Sequence, residues 1–345
     1  MKNKPIAYII RYTFLAAFCL IAAACVHIYP EEGKEVDPTE IELTFELSTD
    51  PSVTSSSVLS KSGLSHRYVK FAIELYEDGY NGEPVFRREM TVPATESGAA
   101  SVRFTECVHA GEYRLAAFAA YAENEDGSGC LYDISSLGNI VYVSDTYTGS
   151  TDLKECYDLR MDINLPHDEW FASKTVSGIL EPPVGRVEII SEDVADFVAK
   201  VEAHTAAADE DFWQTYEVKW DYALYFPVGY NVFTGVPNLA DTGVGFTSEI
   251  VLLNDKEALM GYDYVFVNGE RTEVNISLKL YEKATGELLN TYSGLSAEIL
   301  KGETTVIRGD FLTTEKGSGI GIDPGFDGSI DITLPDRINI RKSRE

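Results

Sequence analysis

The chain has 345 residues, and its 56 acidic against 28 basic side chains give a formal charge of −28. An excess of this size repels nucleic acid and anionic lipid headgroups and excludes both as charge-driven partners. The length exceeds what one core usually serves, so two domains are expected.

Met1 to Ala24 reads as an export signal. Lys2, Lys4 and Arg11 form a positive start, Thr13 to Ala24 carries no charge, and the run is too short for a membrane-spanning helix. Ala22-Ala23-Ala24 leads straight into Cys25. That junction resembles a bacterial lipobox, with Ala22 where Leu is commonest. It implies cleavage before Cys25, acylation of the new N-terminal cysteine with palmitate-type chains, and attachment to the outer membrane. The alternative is a plain secretory peptide with an incidental cysteine. The signal removes three basic residues and no acidic one, leaving a mature charge near −31.

Residues 25–39, with Pro30 and Pro38, read as a lipid-proximal tether. Beyond it the dominant signal is period-two alternation. Ile41-Leu43-Phe45-Leu47, Val69-Phe71-Ile73-Leu75, Tyr113-Leu115-Ala117-Ala119-Tyr121 and Tyr157-Leu159-Met161-Ile163-Leu165 each place apolar residues on one face. Antiparallel sheets with one wet face produce this pattern. Turn formers such as Asn81-Gly82, Ala110-Gly111 and Asp126-Gly127 separate the strands, and Ser48 to Ser65 is a Ser-rich loop. Residues 40–166 are therefore expected to form an N-terminal β-sandwich, 167–340 a second one, and 341–345 a tail.

In the second half, 175–180 is a short strand stopped by Pro182-Pro183. Residues 217–226 and 246–253 read as single longer strands. Tyr262–Val267, Asn268-Gly269 and Arg271–Tyr281 read as a hairpin with a type I′ turn, and 304–312 and 329–334 close the domain. One helix is expected after Ser191, its cap, with Val194, Phe197, Val198 and Val201 as its apolar stripe. Asp162-Ile-Asn-Leu-Pro166 reappears as Asp331-Ile-Thr-Leu-Pro335, and Leu75-Tyr76-Glu77 as Leu280-Tyr281-Glu282. These echoes suggest two all-β sandwiches of related, transthyretin- or immunoglobulin-like topology.

No catalytic motif is found: HExxH, GxSxG, Walker A and GxGxxG before a helix do not occur. Neither Glu123–Glu125–Asp126 nor Asp209–Glu210–Asp211 has the spacing of a Ca²⁺ loop. Asp323, Asp327 and Asp331 surround a Gly-rich turn better read as a polar hairpin. No metal, cofactor or enzymatic activity is expected. Cys107, Cys130 and Cys156 remain in the mature body, an odd number that allows core thiols or one disulfide. Trp213 and Trp220 head an aromatic segment running to Tyr230. If exposed they could stack on sugar rings, although core packing accounts for the same alternation.

The lipobox, Ala110-Gly111-Glu112-Tyr113-Arg114-Leu115 and Thr305-Val306-Ile307-Arg308-Gly309-Asp310-Phe311-Leu312 together resemble fimbrillin-like, type V pilin-related surface lipoproteins of Bacteroidales. The segment from Val184 to Pro335 is similar to an uncharacterised C-terminal domain of such proteins. The resemblance implies a fimbrial subunit or an adhesin-like accessory protein. Its partners would be the membrane, through lipid, and copies of itself or other fimbrial subunits, through strand addition. In pilins of this type an Arg/Lys-directed protease removes the first strand, and Lys61 and Arg67 are the candidate cut sites here. Glu31 and Glu32 faintly resemble a surface-export signal. The second expectation is a glycan-binding lipoprotein of a polysaccharide uptake system.

Overall fold

A computed structural model describes residues 41–51, 67–77, 79–143, 146–166, 173–201, 210–314 and 329–333. Twenty strands and two α-helices are found among them. Cys25, Glu31, Glu32, Lys61, Asp323 and Asp327 lie outside the described residues.

The first sandwich packs sheet I, with strand order β4-β1-β9, on sheet II, with order β3-β2-β5-β8. Its strands are β1 (Ile41–Thr49), β2 (Tyr68–Tyr76), β3 (Phe86–Pro93), β4 (Ser101–Val108), β5 (Gly111–Ala122), β8 (Cys156–Leu165) and β9 (Ser173–Leu180). The alternating residues of β1, Ile41, Leu43, Phe45 and Leu47, are wholly buried against Phe71, Leu115 and Tyr121 of sheet II. The strand at Ser173–Leu180, expected to open the second domain, instead runs parallel to β1 from Glu42–Ser173 to Thr49–Leu180. It closes the first sandwich.

The second sandwich repeats this plan. Its strands are β10 (Val184–Ser191), β11 (Tyr216–Ala223), β14 (Gly245–Glu249), β15 (Val251–Leu252), β16 (Ala258–Phe266), β17 (Arg271–Glu282), β18 (Glu287–Leu300), β19 (Thr304–Gly309) and β20 (Ser329–Thr333). Sheet IV has order β15-β16-β10-β19-β20, and sheet V has order β14-β11-β17-β18. In both halves the opening strand is central, antiparallel to one neighbour and parallel to the closing strand. Matching β1, β2, β3, β4, β5, β8 and β9 to β10, β11, β14, β16, β17, β18 and β19 superposes both strand orders. The two sandwiches are thus topological repeats. The sequence echoes that suggested this fall on non-equivalent strands: Leu75–Tyr76 is on β2 but Leu280–Glu282 on β17, and Asp162–Leu165 is on β8 but Asp331–Thr333 on β20.

Three further expectations are corrected. Residues 217–226 form two strands, because Leu224 takes a left-handed φ of 65° and sends the chain from sheet V into sheet III. Residues 246–253 likewise divide between β14 in sheet V and β15 in sheet IV. Strands β16 and β17 do not pair: Asn268-Gly269 joins sheet IV to sheet V, and only Gly269 of the two has positive φ, so a type I′ turn is ruled out. The true hairpin is β17–β18, whose Gly286 at φ 71° donates its N–H to the Glu282 carbonyl at 2.8 Å.

Helices α1 (Val194–Val201) and α2 (Glu210–Gln214) precede β11, two where one was expected. Val194 and Phe197 enter the second core with Trp213. Ser191 does not cap α1. Its Oγ accepts the N–H groups of Phe311 at 2.8 Å and Leu312 at 3.1 Å, fixing the turn after β19.

Sheet III, with order β6-β7-β12-β13, sits beside both halves. It comprises β6 (Tyr132–Asp133), β7 (Ile140–Tyr142), β12 (Tyr225–Asn231) and β13 (Val236–Thr242). A third core joins the sandwiches here. Ala72, Ala116, Phe118 and Ala120 from the outer face of sheet II meet Val184, Ile190, Tyr264 and Phe266 of sheet IV, with Tyr132 and Tyr230 of sheet III and Leu137 of the β6–β7 connection closing the side. The small alanines let the two sheets approach, so β10 and β16 are buried at every residue and β5 is buried from Leu115 to Ala122.

Candidate functional site

Two places depart from simple sandwich packing. The first is sheet I. Among the described residues it has three strands, so β4 and β9 are its two edges, each hydrogen-bonded to β1 alone within the sheet. In the second sandwich β19 is paired with β20 from Thr304 to Arg308, and the equivalent edge of β16 is occupied in part, by β15 at Ala258 and Leu259 and by Ser150 at Tyr262. An uncovered edge presents a row of backbone donors and acceptors, which is a template for an added strand. A groove of about 830 Å³ opens at one end of this sheet, lined by Leu47, Ser48, Val102, Arg103, Gly178 and Ile179 among others. Ile179 is 60% exposed beside it. Strand β1 between these edges is zipped to β4 from Ile41–Val108 to Ser48–Ser101, and Phe45 stacks on Phe104 at 5.0 Å.

Of the candidate cut sites, Arg67 immediately precedes β2. It is half-buried, and its carbonyl accepts the Ala94 N–H at 2.9 Å. A protease needs an extended, free backbone, so Arg67 is shielded by the β2–β3 pair.

The second place is the junction of the sandwiches, where a charged network is buried. Lys154 ends a short 3₁₀ turn (Asp152–Lys154) in the connection between β7 and β8. Its ammonium pairs with Asp263 of β16, and both side chains are 0% exposed. The turn is pinned on β16: Ser150, at φ 50°, donates its N–H to the Tyr262 carbonyl at 2.8 Å. Asp263 is fully engaged. Its Oδ1 takes Lys154 Nζ and, at 2.9 Å, the Tyr264 N–H; its Oδ2 takes the hydroxyls of Tyr147 at 2.7 Å and Tyr222 at 2.8 Å. The ammonium lies 3.9 Å from the Tyr147 ring centroid and 5.0 Å from that of Tyr142. Desolvation lowers the Lys154 pKa, and Asp263 offsets this only in part. Burial also raises the Tyr147 and Tyr222 phenols far above their ordinary range, with the Asp263 charge adding to it.

Arg186 of β10 continues the network. It reaches Glu188 and Asp152 at 2.7 Å and the Tyr264 hydroxyl at 2.6 Å, and lies 3.7 Å over the Tyr262 ring. Sequence reasoning missed these residues. In Val184–Ser191 the polar positions Arg186 and Glu188 alternate with apolar ones and look like a wet face. The available signal was β5, where Ala116, Phe118, Ala120 and Ala122 make the second face apolar too, as a strand buried on both sides requires.

The expected glycan contacts are corrected. Trp213 is 2% and Trp220 0% exposed. Trp220 stacks on Phe246 at 5.1 Å and donates Nε1–H to the Met260 carbonyl at 3.0 Å, while Trp213 stacks on Phe197 at 5.8 Å. Neither indole offers a face to a sugar, because sheets IV and V close over them. Cys130 and Cys156 are thiols; burial raises both pKa values, and Cys107 is exposed on β4. Among the described residues no group of three or more His, Cys, Asp or Glu could hold a metal, and no helix is long and apolar enough to cross a membrane.

Residues 33–340 match the model of a family of unknown function, DUF6562. The chain belongs to this family. No curated protein matches it. Among solved structures it is similar to the fimbrial anchor protein Mfa2 of Porphyromonas gingivalis, at 10% identity and a TM-score of 0.43, over 78% of this chain and 90% of that one. It is also similar to a candidate cell adhesion protein of Bacteroides ovatus, at 12% identity and a TM-score of 0.44, over 87% and 97%. A candidate polysaccharide-binding protein of Bacteroides thetaiotaomicron follows at 11% and 0.41, over 78% and 90%. At this level no function passes from these proteins to the chain.

Proposed function

We propose that this family member is a non-enzymatic surface lipoprotein, held on the outer membrane through acylated Cys25, that works as a fimbrial subunit or adhesin-like accessory protein through strand addition at sheet I. The observation that carries this reading is the pair of edges on β4 and β9 that no described strand covers, whereas in the second sandwich β19 is paired with β20 and the start of β16 with β15. Backbone pairing along such an edge supplies affinity, and side-chain pockets at alternate positions supply specificity. The residues between β1 and β2 include Lys61. Cleavage there would free β1 and leave a vacancy between β4 and β9 for a neighbour's strand; without cleavage the protein stays a permanently anchored accessory subunit, using the outer edges alone. Lys61 is the better candidate, since Arg67 is held against β3.

Full-length protein in membranes, treated with a Lys/Arg-specific protease, is expected to form SDS-resistant ladders that Lys61→Ala prevents. A Cys25→Ser chain is expected to lose both fatty-acid labelling and membrane retention. Absence of ladders or filaments under all protease conditions would rule out the polymerising form, and retained labelling in the Ser variant would rule out the anchor.

A further inference from the structure

We propose that Lys154 and Asp263 condense to an intramolecular isopeptide bond that ties the two sandwiches together covalently. The geometry points to it on four counts. The ammonium and carboxylate are in contact and both are 0% exposed, so no water competes for either group. They come from different halves of the molecule, 109 residues apart in sequence. The turn carrying Lys154 is fixed on β16 by the paired backbone and side-chain bonds of Ser150 with Tyr262, so the amine is aimed before any reaction. Two phenolic hydroxyls, from Tyr147 and Tyr222, point at Oδ2, the oxygen away from the amine.

The pair already holds every atom the step needs. The ammonium hands one proton to Oδ1, giving an amine and a carboxylic acid. Desolvation favours this neutral form of Lys154, as it does for other buried nucleophilic lysines. Nζ then attacks Cγ and forms the C–N bond. The negative charge moves to Oδ2, where the Tyr147 and Tyr222 hydroxyls receive it as an oxyanion hole would. A second proton passes from nitrogen to Oδ1, which leaves as water while the Cγ–Oδ2 double bond re-forms. Nothing is oxidised or reduced, and no co-reactant enters. The product is a neutral amide in place of two buried charges, shielded from hydrolysis by the rings of Tyr142 and Tyr147.

Tryptic digestion of the full chain followed by mass spectrometry tests this. Trypsin cannot cut at an acylated Lys154, so a linked species is expected in which segment 115–160 is joined to segment 257–271, lighter than their sum by one water. Fragment ions place the junction at Lys154 and Asp263. Lys154→Arg keeps the charge and abolishes the linked species. Recovery of the wild-type segments 115–154, 155–160 and 257–271 only as separate peptides would overturn the proposal and leave an ion pair. A linked species that persists in Lys154→Arg would overturn it as well.

Discussion

At the scale of single residues, the burial of acids at the junction sets a pH dependence. Asp158 on β8 is 4% exposed and accepts the Tyr230 hydroxyl at 2.9 Å. Desolvation raises its pKa, a shift that Arg160, Lys301 and the Tyr230 hydrogen bond reduce but do not cancel. The folded protein therefore holds this proton more tightly than the unfolded chain. The attached stability is full below the unfolded pKa of about 3.9 and is lost as pH rises through the raised folded value. Urea denaturation across this range should show wild type losing stability with rising pH relative to Asp158→Asn; an opposite or absent slope refutes the assignment. Asp158 and Lys154 are ordinary charged residues in an acidic sequence, and no local pattern marks them as buried. Trp220 was easier to read, since its alternation with Val218 and Tyr222 already suited a core strand.

At the scale of elements, alternation located the strands well and their connections poorly. The pattern of residues 217–226 is continuous, yet the strand breaks at Leu224, because backbone conformation rather than side-chain polarity decides where a strand changes sheets. A non-glycine residue at φ 65° costs about 1–2 kcal/mol. Leu224 is 72% exposed, so little burial repays it. Leu224→Gly is expected to stabilise the protein by about 0.5–1 kcal/mol, the relieved strain exceeding the added chain entropy. A lower denaturation midpoint for the variant would show that the Leu side chain contributes packing. The same limit explains the misread Asn268-Gly269 hairpin: a good turn dipeptide specifies a reversal, and the tertiary structure chose which sheet the returning strand joined. Gly261 shows the reverse case. At φ 129° it bulges β16, and a Cβ there would meet Ser248 Oγ at 2.6 Å and Trp220 Nε1 at 2.9 Å, so both strand twist and core closeness require glycine.

At the scale of the whole molecule, the two sandwiches share a core and are expected to unfold together. Phe118 is fully buried on the outer face of β5, edge-on to Tyr132 at 5.8 Å. Two of the three tryptophans, Trp213 and Trp220, report on the second core. Phe118→Ala in the first sandwich should cost about 3–5 kcal/mol and move the tryptophan fluorescence midpoint by the full amount. A midpoint that stays put would mean that the halves unfold independently.

The sequence by itself determined the β class and the core-facing residues of β1, β2, β5 and β8, because period-two burial is written locally in residue type. Only the tertiary structure decided that the halves are welded through a third core, that β9 closes the first sandwich, and that no described strand covers either edge of sheet I. These depend on which surfaces meet. A polar alternation such as Arg186 and Glu188 reads the same whether water or a second sheet lies against it, and the pairing of Lys154 with Asp263 exists only where distant segments are brought into register.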